Sequence, residues 1–368
     1  MMPEPPPAGL LPRLDAPLWR RRKRPPFGPR EGGRPVPAFT GGRTTGRPAR
    51  VDLLTTGRYT LLVGNVRELA LKIKVSGPVK LGEPMREHTS FRIGGPADLY
   101  VAPRTWEELA HTHALCCAHG IPVFLLGGGS NLLVSDHGIR GAVIDLTGIR
   151  GMERTGNTVS ALCGTPISDL AEFAHSQGLS GLEFTYFLPG TVGGALWMNA
   201  RCYDRSMSDV LIHADALRLK DTAPTPERFT CSPSQWGYKL SPFQTMEAAI
   251  LGGCFRLSEG DPSRIRALME GYRADRESKG HFLHPCAGSV FKNDRAFGAP
   301  TGKLIDEIGL KGTRRGGAQI APYHGNIIIN IGGAAAADVL ALIELVENEV
   351  ERKLGFRLAR EVILAGEW

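Results

Sequence analysis

An α+β fold built of several small mixed units is what this sequence predicts, and three observations predict it. Segments with helical apolar spacing alternate with short apolar strand-like runs along most of the chain. Two of those runs are broken by glycine clusters, in LGGGSNLLVSD (Leu126 to Asp136) and PGTVGGALWMNA (Pro189 to Ala200). There is no internal repeat, so the units are not copies of one module.

Taken in order, Val66 to Val75 (VRELALKIKV) predicts a short amphipathic helix at the start of the folded region. An extended segment, EPMREHTSFRIGGPAD, closes on a Gly-Gly-Pro turn. Thr105, followed by Glu107 and Glu108, predicts an N-capped helix running to Gly120. The strand Pro122 to Leu126 then leads into the first glycine cluster, and Asn131 to Val134 and Ala142 to Leu146 read as further strands. A second unit begins near Met152 with a strand at Val159 to Cys163 and an amphipathic helix at Ile167 to Gln177, ended by Gly178. The second glycine loop at 189–194 follows, then strands at Leu211 to Leu219 and Ala249 to Leu257. Ser263 to Glu277 is a charged helix crossing to a third unit. That unit has a helix from about Gly302 to Ile308, a strand at Asn326 to Asn330 and a long helix at Ala337 to Leu354.

A chain of 368 residues is long enough for two or three domains with their own cores. Its formal charge of +7 invites a nucleic-acid reading, but the charge is unevenly placed. Residues 1–80 carry 16 basic and 5 acidic side chains, leaving 28 and 32 for the remainder, so the body is mildly acidic. Residues 1–60, rich in Pro, Gly and Arg, lack the apolar periodicity to bury a core and predict disorder. The cluster Arg20 to Arg24 suits contact with RNA or an anionic membrane. It reads better as a solvated tail, or as sequence upstream of the true start. No apolar run of about 7 to 15 residues follows it, which argues against a secretion signal, and no stretch nears the ~20 apolar residues of a membrane helix. Seven cysteines form no CxxC pair, pointing to reduced thiols in the cytoplasm. Ten histidines show no ligand-like spacing, so no metal is expected.

LGGGSN lacks the Gly-Lys-Ser/Thr of a Walker loop, and a strand rather than a helix follows it, against GxGxxG. It reads either as a tight turn or as a loop whose successive N–H groups converge on a pyrophosphate, with Ser130 and Asn131 adding side-chain donors. A second glycine cluster about 60 residues on, with Asn199 close behind, suits a dinucleotide lying between two such loops. CAGSVFKN (Cys286 to Asn293) sets one serine between a small-residue turn and an apolar, then cationic, strand-like segment. A hydroxyl held there can donate a proton; the same residues also read as a turn into an ordinary buried strand.

With all three motifs in order, together with HTSFRIGGPAD and GLEF at 181–184, the chain from about Asn65 to Trp368 resembles the UDP-N-acetylenolpyruvoylglucosamine reductases, flavoenzymes of bacterial cell-wall synthesis. The resemblance implies a two-subdomain FAD-binding fold of the vanillyl-alcohol oxidase type plus a C-terminal α+β substrate-binding domain. The boundaries it implies are 61–150 and 151–260 for the FAD subdomains, 261–358 for the substrate domain, and 359–368 for a segment returning to the active site. It implies FAD and NADPH as cofactors, a UDP-sugar substrate, no obligatory nucleic acid, and room for partners among other cell-wall precursor enzymes. The matching flavin-binding residues are Gly127, Gly128, Gly129, Ser130 and Asn131, then Pro189, Gly190, Thr191, Gly193, Gly194, Ala195 and Asn199.

For catalysis, Ser289 matches the family's proton-donating serine and Glu361, in REVILAGEW, its glutamate near the substrate carboxyl; without the resemblance Glu361 reads as a surface carboxylate on a terminal strand. The family's arginine falls at Lys239 in GYKLSPF, which keeps the charge and loses the bidentate fork. Tyr238, Lys279, Lys292, Asn293, Glu307, His324 and Asn326 match substrate-contacting positions. After PGTVGGALWMNA the family continues with GAYG, whereas this chain has Arg201, Cys202, Tyr203 and Asp204, so Arg201 competes with Lys239 for the missing arginine's role. The short spacings from Ser289 to Gly302 and Gly309 match the shorter subgroup, without a substrate-covering tyrosine loop. Two rival readings remain: an FAD-dependent oxidase of a sugar or alcohol from the same superfamily, and a flavin-binding paralogue with reduced catalysis.

Overall fold

The computed structural model describes residues 66–220 and 224–368. The predicted disorder of residues 1–60 and the predicted domain start at 61 lie outside them. The first helix, α1, spans residues 66–72, ending before the predicted Val75. β1 (Val79–Pro84) and β2 (Pro96–Val101) pair antiparallel. α2 (Trp106–Ala118) starts where Thr105 accepts a hydrogen bond from the Glu108 N–H, the predicted cap. After it come β3 (Val123–Leu126), β4 (Leu132–Val134) and β5 (Ile139–Asp145). The sheet order is β1-β2-β5-β3, with β2 and β3 both parallel to β5. A parallel sheet places the loop after β3 at its carboxyl end, which is where the LGGGSN cluster emerges.

The second subdomain is an antiparallel sheet covered on one face by helices. β6 (Met152–Thr155) and β7 (Thr158–Leu162) lead to α3 (Ile167–Ser176), the short strand β8 (Leu179–Ser180) and α4 (Val192–Met198). A hairpin of β9 (Arg201–Cys202) and β10 (Arg205–Ser206) precedes β11 (Leu211–Arg218), β12 (Pro226–Thr230) and β13 (Ala248–Arg256), and β14 (Ser258–Glu259) pairs back on β8. The five-stranded order is β12-β11-β13-β7-β6. Its core gathers Val159, Leu170, Val192, Leu196, Phe243 and Phe255.

α5 (Pro262–Ser278), expected to open the third unit, packs on the second subdomain: Ile265 and Met269 cluster with Ala171 and Tyr186. The last sheet, β15 (Cys286–Ser289), β16 (Arg314–Arg315), β17 (Ala318–Ile320) and β18 (Ile327–Asn330), has the order β15-β18-β17-β16. α6 (Thr301–Glu307) and the long α7 (Ala336–Leu354) cover it, with Val339, Leu342, Ile343 and Val346 buried. Phe91, Ile93 and Leu133 of the first subdomain join that core, and Asp136 accepts hydrogen bonds from the Ala336 and Ala337 N–H groups at the start of α7 (2.8 and 3.0 Å). The chain closes with β19 (Ile363–Ala365), parallel to β4. That pairing returns the C-terminal segment to the first glycine loop. Among the described residues no helix is long and apolar enough to cross a membrane.

Candidate active site

The loop Gly127–Asn131 joins β3 to β4, and its glycines are needed for two different reasons. Gly129 has φ +60°, and a Cβ there would lie 2.0 Å from the His88 carbonyl oxygen. Gly128 has no such backbone requirement, but its Cβ would sit 2.7 Å from Gly190 Cα, so the two glycine segments touch each other directly. Among the described residues, no protein acceptor takes the backbone N–H of Gly128, Gly129, Ser130 or Asn131. Four successive free N–H groups on a cavity wall fit an oxyanion such as the diphosphate of a dinucleotide.

The predicted second loop at 189–194 is a loop only as far as Thr191, because α4 begins at Val192, and the backbone N–H groups of Gly190 and Thr191 have no protein acceptor among the described residues. Thr191 caps α4 by accepting from the Gly194 N–H, and Val192 and Gly193 donate to the Thr165 and Cys163 carbonyls (2.9 and 2.8 Å). Gly193 is small because a Cβ would lie 2.9 Å from Cys163 Cβ, whereas a Cβ on Gly194 would meet only Thr191 Oγ1 at 3.7 Å. Gly193 therefore serves helix-to-strand packing, and Gly194 leaves the wall open.

Both segments line one cavity of about 700 Å³. Ser289, Glu361, Lys239 and Lys279 line it as well, bringing the predicted chemistry and the predicted flavin loops together. Ser289 ends β15 directly after Gly288, whose φ of +70° turns the strand, and its hydroxyl has no protein hydrogen-bond partner among the described residues. Glu361 is tied down through its backbone. Its N–H donates to the Val290 carbonyl at 2.7 Å, and its carbonyl accepts from Asn131 Nδ2 at 2.9 Å. Its carboxylate meets Lys239 Nζ at 2.5 Å. Lys239 itself has φ +54°, held by Gln244 Nε2 on its carbonyl (3.0 Å) and by Asn199 Nδ2 on the Gly237 carbonyl (2.8 Å).

Several predicted site residues lie elsewhere. Asn199, expected at the flavin, is buried with φ +44° and spends its amide on Gly237 and the Ser208 N–H, so it positions the Lys239 loop and is not part of the cavity wall. Asn326 is buried with both amide atoms on the Phe291 backbone (2.9 and 2.8 Å), and it is outside the cavity lining. Glu307 is on the surface of α6 beside Lys303. His324 is half-buried, 5.8 Å from His281 between ring centroids, and outside the lining. Tyr238 and Asn293 are exposed, joined where the Asn293 N–H donates to the Tyr238 hydroxyl (3.3 Å), while Lys292 is fixed by its backbone to Ala359. Arg201 lines the cavity but pairs with Asp204 at 2.8 Å.

Sequence reasoning missed Arg276 and His281, which line the cavity, and Gln244, which props Lys239. Tyr203 at the tip of the β9–β10 hairpin stacks on Tyr272 at 3.9 Å and donates to Asp275, which also holds Lys279 at 2.7 Å. The hydrogen bond from Lys279 keeps the Asp275 carboxyl below its ordinary range. Burial, then the hydrogen bond to Asp275, pushes the Tyr203 hydroxyl up. Burial drives the His281 ring down to about 4 and the Cys163 thiol up to about 12, so the first is neutral and the second inert near neutral pH. Among the described residues no cluster suits a metal ion.

Paired α+β subdomains, a run of free N–H groups at a glycine loop and a shared cavity define an FAD-binding oxidoreductase. A model of the FAD binding domain matches residues 97–221, and a model of the UDP-N-acetylenolpyruvoylglucosamine reductase C-terminal domain matches 280–365. UDP-N-acetylenolpyruvoylglucosamine reductase from Treponema denticola is 42% identical over 306 residues, covering 79% of this chain and 95% of its own. The Treponema pallidum protein of the same name is 39% identical over 341 residues, covering 81% and 96%. The crystal structure of the Thermus caldophilus enzyme superposes with a TM-score of 0.67 at 32% identity, covering 78% of this chain and 99% of that one. The chain belongs to the UDP-N-acetylenolpyruvoylglucosamine reductase family, whose cofactors are FAD and NADPH.

Proposed function

We propose that this protein reduces UDP-N-acetyl-3-O-(1-carboxyvinyl)-glucosamine to UDP-N-acetylmuramate at the expense of NADPH, in peptidoglycan precursor synthesis. The observation that supports it is the meeting, in one cavity, of the unbonded Ser289 hydroxyl, the Lys239–Glu361 pair and the free N–H run of the first glycine loop. FAD, when bound, supplies the hydride for the terminal vinyl carbon of the substrate. In the proposed division of labour Gly128 to Asn131 hold the cofactor's diphosphate through their N–H groups. Lys239 stabilises the negative charge that develops beside the substrate carboxylate. Ser289 holds the proton that the adjacent carbon takes up, which completes saturation of the double bond. Glu361 keeps the Lys239 ammonium in place, and through its carbonyl it anchors Asn131. Lys279 faces the sugar nucleotide, with Tyr238 at the rim. Anaerobic titration tests the reading: NADPH should bleach the visible flavin bands, and the enolpyruvyl substrate should restore them. Bleaching without restoration by that substrate would overturn it.

A further inference from the structure

The seven cysteines are all free, and their surroundings differ sharply. Burial pushes the Cys116 thiol, like that of Cys163, up to about 12, and it raises those of Cys231 and Cys286. Cys254 is buried in β13, and Cys117 is exposed on α2 beside His113, whose ring burial holds below its ordinary value. Cys202 is different. It is half-buried at the end of β9 on the cavity wall, and its sulfur accepts from Arg276 Nη1 at 3.6 Å. Tyr203, next in sequence, stacks on Tyr272 at 3.9 Å and so holds the hairpin that carries the sulfur. Among the described residues no other cysteine sulfur accepts a hydrogen bond from a cation. Arg276 is 8% exposed, pairs with no carboxylate among the described residues, and has its Nε enclosed without a partner. A buried guanidinium with unspent donors favours an anion beside it, and sulfur is the atom held there. The thiolate is the nucleophilic form of cysteine, and a half-exposed thiol against a fixed cation is the setting in which it reacts.

We propose that Cys202 is an oxidation-sensitive thiol, which hydrogen peroxide converts to a sulfenic acid whose oxygen engages Arg276 and keeps substrate out of the cavity. The Cys202 sulfur, as thiolate, attacks one peroxide oxygen. An S–O bond forms as the O–O bond breaks, and the departing hydroxide becomes water by taking up the proton that the thiol released. Sulfur is oxidised and the peroxide is reduced. The added oxygen is the stronger acceptor that the guanidinium lacks, so the oxidised side chain is held where it forms, and a thiol reductant returns it to cysteine. The inference goes beyond the reductase reading, which makes no use of Cys202. The family motif GAYG has alanine at this position, so the thiol is a feature of this chain.

The test treats the purified flavin-loaded protein with hydrogen peroxide in the presence of dimedone, which captures sulfenic acids, and reads each cysteine by peptide mass spectrometry. Cys202 should be labelled ahead of Cys117, although Cys117 is the more exposed of the two. Reoxidation of the reduced flavin by the enolpyruvyl substrate should be lost in step with that label, and dithiothreitol should restore it when dimedone is left out. Cys202→Ala, which installs the motif residue, should keep its reoxidation rate through the same treatment, and Cys202→Ser gives the same reading should the alanine variant fail to fold. Labelling of Cys117 with Cys202 untouched overturns the proposal. So does a Cys202→Ala protein that loses reoxidation as fast as the parent. Arg276→Gln should slow the labelling of Cys202 several-fold, and an unchanged rate overturns the activation on which the proposal stands. A parent that is labelled at Cys202 but whose reduced flavin the enolpyruvyl substrate never reoxidises sinks the reductase reading, and the labelling rates then decide the Cys202 assignment by themselves.

Discussion

Lys239 Nζ lies 2.5 Å from a carboxylate oxygen of Glu361, with the two side chains 14% and 10% exposed. One residue comes from a left-handed loop of the second subdomain, the other from the C-terminal segment that pairs with β4, so the ion pair closes the cavity across two parts of the chain. Its geometry shows how a lysine ammonium is held in one direction on the cavity wall. The ammonium needs a single well-placed acceptor to be fixed in direction, and Glu361, immobilised through its own N–H and carbonyl, provides it.

Removing the cation should therefore cost twice. Lys239→Met leaves the Glu361 carboxylate without its partner in a poorly hydrated place, and breaking such a pair typically destabilises by about 3–5 kcal/mol. Urea denaturation should show that loss, and the further change Glu361→Gln should recover much of it. Reoxidation of the reduced flavin by substrate should slow severely in Lys239→Met. Normal stability together with a normal substrate half-reaction would remove the pair from both roles.

Ser289→Ala should separate the two half-reactions. Its hydroxyl has no protein partner to lose, so the fold should be unaffected and NADPH should reduce the flavin at close to the normal rate. Reoxidation by the enolpyruvyl substrate should fall by ~10²-fold or more, the contribution of a positioned general acid. Stopped-flow absorbance reads both steps, and equal slowing of the two would make Ser289 structural.

The adjacent glycines of α4 give a contrast that needs no activity assay. Gly193→Ala places a methyl 2.9 Å from Cys163 Cβ and should destabilise the protein by about 1–3 kcal/mol. Gly194→Ala meets nothing closer than 3.7 Å and should leave the melting temperature of the flavin-free protein unchanged or raised, since alanine is favoured over glycine in a helix by ~1 kcal/mol. Flavin affinity, measured by fluorescence quenching, should nevertheless fall in Gly194→Ala, because its methyl enters the cavity. Unaltered affinity would place the cofactor away from α4.

Much of the fold was legible because its signals are local. Thr105 with Glu107 and Glu108 marks the start of α2, and the apolar spacings of Ile167–Ser176 and Ala336–Leu354 each report a buried face on their own. The glycines 193 and 194 misled for the same reason. Their pattern reads as a loop, and only contact with Cys163, 30 positions away in sequence, makes them the tight side of a helix. The β9–β10 hairpin was hidden because Tyr203 and Asp204 adopt φ of +50° and +58° without a glycine to announce it. Ser289, Lys239 and Glu361 were found through motif resemblance. Arg276 was not, since in the run ADRES it looks like any solvated helix residue, and its burial depends on Phe282, beyond the end of the helix, and on Cys202, 74 positions away in sequence.

His281 should leave a mark on the pH dependence of stability. Burial first, then repulsion from Arg276, His324 and Lys279, outweighs the attraction of Asp275 and brings its pKa to about 4. In the unfolded chain the value is ~6.5, so between the two values the unfolded state binds more protons and gains on the folded one as the solution is acidified. The stability due to a neutral His281 is thus fully present above pH ~6.5 and is lost as pH falls toward 4. His324, shifted down chiefly by its own burial, adds a second contribution of the same sign. His281→Asn should therefore flatten, without abolishing, the decline in the urea midpoint between pH 6.5 and 4. Carboxylates titrating in the lower part of that window act alike in parent and variant, so the difference between the two curves isolates the histidine. Parallel curves across the whole window would mean that His281 takes up its proton as readily in the folded protein as in the unfolded chain.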